Sequence, residues 1–246
     1  CTALSNTGVG IEVGAAGEVS QSASRGNVNG GFAAGDAVAF VDCAALQTTG
    51  IGFFTDAGCS FSRCVAQGNQ GNGFFTGDGA SIESCDASEN AGNGFQVGDG
   101  SSVVSSTARQ NSGSGVVIGN ACTVADCTAM GNQVNGILVA NRCHARGNSC
   151  SGTGAAPVAG SAGIRVEGGD NRIERNSLTA LNRGLDVNFS GNLIVANTAS
   201  ANTINWDISP TNFGQFVTAV NSGAAFAGST GGAPLGNTDP WVNFSY

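Results

Sequence analysis

A four-residue phrase, glycine–apolar–any–apolar, returns along this chain at a fixed step of 21 residues, and no other feature narrows its fold so far. It runs Gly10-Ile11-Glu12-Val13, Gly31-Phe32-Ala33-Ala34, Gly52-Phe53-Phe54-Thr55, Gly73-Phe74-Phe75-Thr76 and Gly94-Phe95-Gln96-Val97. Gly115, Gly136, Gly163 and Gly184 open further copies, and Asn205-Trp206-Asp207-Ile208 closes the series. Only the step from Gly136 to Gly163 is longer. No window keeps a 3.6-residue period, so a helix is excluded.

Other positions keep the same phase. A small, mostly sulfur-bearing column reads Ser22, Cys43, Cys64, Cys85, Ser106, Cys127, and Cys1 falls in phase with it. Two residues further lies an alanine column, and Val19, Phe40, Phe61, Ile82, Val103 and Val124 form an apolar one. Four residues before the glycines comes Asn6, Asn27, Thr48, Asn69, Asn90, Asn111, Asn132. Alternate residues of a strand share a face, so these columns predict three short strands per coil around a narrow core. The asparagines belong at tight turns. Asparagine tolerates left-handed backbone, and amides stacked one coil apart can bond in a ladder. The expected architecture is all-β: a right-handed parallel β-helix of about ten coils over 1–209, with an insertion at 148–162 and a capping or fold-back segment at 210–246. Aromatic residues of that last segment, from Phe213 to Trp241, Phe244 and Tyr246, supply the cap.

Composition narrows the partners. Net charge is −8, charged residues make up only 11%, and all nine basic residues are arginine. An acidic chain without basic clusters argues against nucleic acid. No apolar run approaches the ~20 residues that span a bilayer. The start at Cys1 is read as a point inside a longer solenoid, with an acylated lipoprotein cysteine as the rival. Of the nine cysteines, Cys43, Cys64, Cys85 and Cys127 share one core column, and Cys59, Cys122 and Cys143 share another. Buried apolar thiols are the favoured reading. Disulfides between neighbouring coils, such as Cys43–Cys64 or Cys122–Cys143, are the alternative. One histidine, His144, and no CxxC pair leave little for a transition metal.

The coil, with its Cys-x-Ala, Asn and Gly-Asn-Gly-apolar elements, resembles the parallel β-helix repeat superfamily, which has the pectate-lyase-like fold. The stretch Gly191–Ile208 and the ending Asn237–Tyr246 are similar to secreted bacterial β-helix proteins of planctomycete type. The resemblance implies export, to the medium or the cell surface, more firmly than it implies a function. Lyases and hydrolases on this fold gather arginine, calcium-holding aspartates or paired aspartates on the outer face of one sheet.

The outward column of the first strand is where such a group would lie. It reads Glu12, Ala33, Phe54, Phe75, Gln96, Val117, Leu138, Arg165, Asp186, Asp207. Asp186 and Asp207, with Arg165 beside them, are the candidate catalytic group, since close carboxylates can divide acid and base roles. A salt-bridged ladder is the plainer reading. Phe54 and Phe75 are the candidate binding pair, because stacked outward rings suit a sugar or a protein partner. Asp78 and Asp99, in Gly-Asp-Gly turns, are candidate calcium ligands. Sparse outward chemistry favours a non-catalytic extracellular rod, an adhesive or filament component that associates end to end. The alternative is a protein that binds or degrades a surface polysaccharide.

Overall fold

The computed structural model describes residues 1–152, 159–214, 216–217, 226–228 and 242–245. Short parallel strands, mostly of three residues, stack coil on coil into three sheets of eleven, nine and twelve strands. Among the described residues there is no helix. The first sheet holds the glycine phrase, from Val9–Val13 to Ile204–Ile208, with Phe226–Gly228 added beyond it. The second runs from Glu18–Ser20 to Leu193–Val195. The third runs from Thr2–Leu4 through Thr198–Ser200 to Asn243–Ser245 and Phe216–Val217.

Period-2 alternation puts one apolar stripe of each strand inside. Phe32, Phe53, Phe74 and Phe95 are fully buried and stack ring on ring at 4.7–4.9 Å. Phe40 and Phe61 stack at 5.1 Å on the second sheet and meet Phe53 edge-on at 5.6 and 5.7 Å. Ala45, Ala66, Ala87 and Ala108 are fully buried where the third sheet closes the core. The glycines of the phrase are needed for this closure. A Cβ on Gly94 would lie 2.6 Å from the Gly115 carbonyl and 2.8 Å from the Asn111 amide.

The turns correct one expectation. None of the stacked asparagines is left-handed. The residue before each one is: Gly68 before Asn69, Glu89 before Asn90, Gln110 before Asn111, Gly131 before Asn132. The asparagine then turns inward. Asn90 Nδ2 donates to Asn111 Oδ1 at 3.0 Å and Asn111 Nδ2 to Asn132 Oδ1 at 3.0 Å. The same oxygens accept the backbone N–H groups of the coil before, Asn90 N at 3.0 Å and Asn111 N at 3.1 Å. Asn69 and Asn90 are joined in the same way at 2.9 Å.

The cysteine columns work by the same rule. All nine thiols are free, and eight are buried. Cys85 Sγ accepts the Cys64 N–H at 3.3 Å and donates to the Glu83 carbonyl at 3.3 Å. Cys122 Sγ accepts the Ser101 N–H at 3.3 Å, and Cys59 Sγ the Val38 N–H at 3.4 Å. Where the column changes residue, the bond persists: Ser106 Oγ serves Cys85 N, and Asn148 Oδ1 serves Cys127 N. Cys43 and Cys64 likewise donate to carbonyls of the preceding coil. Burial pushes the Cys127 thiol up to about 11. Cys1, in phase with this column, is exposed.

The insertion is narrower than 148–162. Ser149–Ser151 is a regular strand, in register with Thr128–Met130 and Ser177–Thr179, and it buries Cys150. The extra residues fall between that strand and Ala162–Val166. Beyond Ile208, the described strands extend the first and third sheets in parallel. Of the aromatic residues expected to cap the solenoid, Trp241 and Tyr246 lie outside the described part.

Candidate functional site

The outer face of the first sheet gathers two groups of side chains at opposite ends. Towards the N-terminal end, Phe54 and Phe75 are paired in register, with rings stacked at 5.7 Å and an interplanar angle of 15°. Phe54 is 45% exposed. Phe75 is half-buried beneath it.

Towards the other end, three consecutive strands align Arg165, Asp186 and Asp207. Arg165 Nη1 lies 3.6 Å from Asp186 Oδ2, and Arg165 Nε donates to Glu167 Oε1 at 2.9 Å. Arg183, at the start of the Asp186 strand, lies with Nε 2.8 Å from Asp207 Oδ2. Asp186 was expected to face solvent. It is only 4% exposed, lying among these longer side chains. Burial raises its carboxyl above the ordinary aspartate value, against the pull of Arg165 and Arg183 and with a push from Asp207. The cluster thus sets a buried carboxyl with a raised affinity for its proton beside the carboxyl group of Asp207, which lies against Arg183.

Asp78 and Asp99 are engaged otherwise. Asp78 Oδ1 accepts the Asp99 N–H at 2.8 Å, and Asp99 Oδ1 the Asn120 N–H at 2.7 Å. The Asn120 amide, donating to both Asp99 oxygens, lowers that carboxyl. These aspartates extend the turn ladder. Among the described residues no three histidine, cysteine or acidic side chains converge as metal ligands.

One cluster escaped the sequence reading. On the second sheet Glu174 is buried. It accepts from His144 Nε2 at 2.8 Å and Arg172 Nε at 2.8 Å, and Arg172 chiefly holds its carboxyl below the usual range. His144 and Glu174 are 30 positions apart and meet because their strands are neighbours in the second sheet, with His144 in register with Arg172 and Arg146 with Glu174.

Residues 1–151 match the family model described as the right handed beta helix region. The chain belongs to the right-handed β-helix family. Among solved structures, this β-helix is similar to the A-module of the mannuronan C-5 epimerase AlgE4 of Azotobacter vinelandii. The TM-score is 0.55 at 15% identity, over 81% of this chain and 70% of that one. At that identity the likeness is one of fold. No curated protein matches the β-helix in sequence.

Proposed function

We propose that this β-helix binds an extended polysaccharide along the outer face of its first sheet, and that Asp186 is the group that exchanges a proton with it. The observation that carries the reading is the buried Asp186, with its raised carboxyl, in register between Arg165 and Asp207 on that face. The aromatic pair supports it from the other end. Coils recur at about 4.8 Å, so Phe75 and Arg165 stand roughly 20 Å apart, a span for several sugar units. The solved structure of similar fold belongs to an enzyme named for mannuronan, itself a polysaccharide.

The competing reading is a structural rod without a ligand. The half-buried, neutral Gln96, Val117 and Leu138 between the two ends favour it. Incubation with a panel of acidic and neutral polysaccharides, scored for binding and for chain cleavage or modification, separates the two. Binding by the parent is the expected result. Any chemistry is expected to fall about 100-fold or more in Asp186→Asn, the usual contribution of a positioned acid or base. No binding across the panel returns the rod. Chemistry that survives in Asp186→Asn removes that residue from the site.

A further inference from the structure

The stack of outward rings stops at one coil, and the reason is Ala33. On the first sheet Ala33 pairs with Glu12 before it and Phe54 after it. One face of the Phe54 ring lies against Phe75. On the other side its in-register neighbour is Ala33, whose side chain ends at Cβ. Two cavities result, sharing Ala33 and Phe54. One, of about 300 Å³, is mostly apolar, with Val9 and Ile51 in its walls. The other, of about 200 Å³, has Glu12 and Asp56 among its lining residues. Together they form a groove across the second coil, walled by an aromatic face on one side and edged by acids at one end.

Charge decides what can lie there. Neither cavity has a basic residue in its lining. A sugar acid would meet two carboxylates and no counter-ion, which disfavours it. A neutral pyranose has what the groove accepts: an apolar ring face for Phe54 and hydroxyl donors for Glu12 and Asp56. We infer that Ala33, Phe54, Glu12 and Asp56 form a binding subsite for a neutral hexose unit. This rests on the polysaccharide reading above and names the sugar class for one end of the face.

Titration calorimetry on the full chain with cellohexaose and with hexagalacturonate tests it. Cellohexaose is expected to bind. Phe54→Ala is expected to weaken it about tenfold, the loss of one good aromatic contact. Ala33→Phe, an outward substitution that continues the ring stack and fills the groove, is expected to weaken it as much while leaving the melting temperature unchanged. Unchanged affinity in Ala33→Phe overturns the subsite, as does hexagalacturonate binding that depends on Phe54. Failure of both oligosaccharides to bind overturns the subsite, and the polysaccharide reading falls with it only when the wider panel also gives no binding. Cellohexaose binding lost in Asp186→Asn but kept in Ala33→Phe overturns the subsite alone.

Discussion

At many of the described turns a side chain of one coil accepts the backbone N–H of the coil before it. At one turn an asparagine oxygen does so. At the others a cysteine sulfur, a serine hydroxyl or an asparagine oxygen does, in the same place and from the same direction. The cysteines therefore are hydrogen-bonding residues as much as apolar filling. An unpaired buried N–H costs about 1–3 kcal/mol, whereas a weaker acceptor replaced by a better one costs little. Cys85→Ala is thus expected to destabilise the chain by about 1–3 kcal/mol by orphaning Cys64 N–H. Cys85→Ser, which copies Ser106 one coil on, is expected to lose less than half as much. Urea unfolding of both variants measures the difference, and equal losses would mean that the sulfur acts by volume alone.

That distinction was not legible in the sequence, where Cys, Ser and Asn at one position look like interchangeable small residues. The columns themselves were legible, because a fixed 21-residue step repeats each inward position next to its own copy. The left-handed turn residue lies one place before the asparagine. Asparagine is the side chain most tolerant of that geometry, but Glu89 and Gln110 hold it here. Their amides bond to the coils beside them, Glu89 N to Arg109 O and Gln110 N to Met130 O, both within 3.0 Å, so stacking selects the conformation and the side chain does not.

At the scale of the strand, alternation says which side chains leave the core but not whether they reach water. The strand Arg183–Val187 shows the difference. Asp186 leaves the core, yet it is nearly as buried as Leu185 and Val187. What lies around it is Arg165 from the coil before, Arg183 from its own strand and Asp207 from the coil after. The consequence is a pH dependence opposite to that of an ordinary ion-paired aspartate. A carboxyl whose folded pKa lies above its unfolded one favours the folded state when protonated. That contribution is complete below the unfolded value and is lost as pH rises through the folded one. Asp186→Asn, neutral at every pH, is therefore expected to melt higher than the parent at pH 7. The gain is expected to shrink as pH falls into the carboxylate range. Glu174 runs the other way: its lowered carboxyl contributes stability above its unfolded pKa, lost as pH falls through the folded one. Melting curves of parent and Asp186→Asn between pH 3 and 8, scales set by ordinary carboxylate values, read the first effect. A variant less stable than the parent at pH 7 would show that Arg165 and Arg183 outweigh burial.

For the whole molecule, each coil touches only its neighbours, so stability is a sum of coil terms and coil–coil interfaces. The hydrophobic column runs through all of them, and there is no separate centre whose loss would unfold everything at once. A defect in mid-rod should then act as a break between two stretches that remain folded on either side. Gly94 is the place to make one. A methyl group there meets the Gly115 carbonyl and the Asn111 amide, neither of which can withdraw without opening the ladder to the next coil. Gly94→Ala is expected to cost about 1–3 kcal/mol, as overpacking does, and to place that cost locally. Hydrogen exchange read by mass spectrometry should show lost protection in the coils between Gly73 and Gly136. Peptides around Phe32 and around Leu185 should keep the parent's rates. A uniform rise in exchange along the rod would show that the coils unfold as one cooperative unit, and that the continuous phenylalanine and aliphatic stack binds them more tightly than nearest-neighbour contact allows.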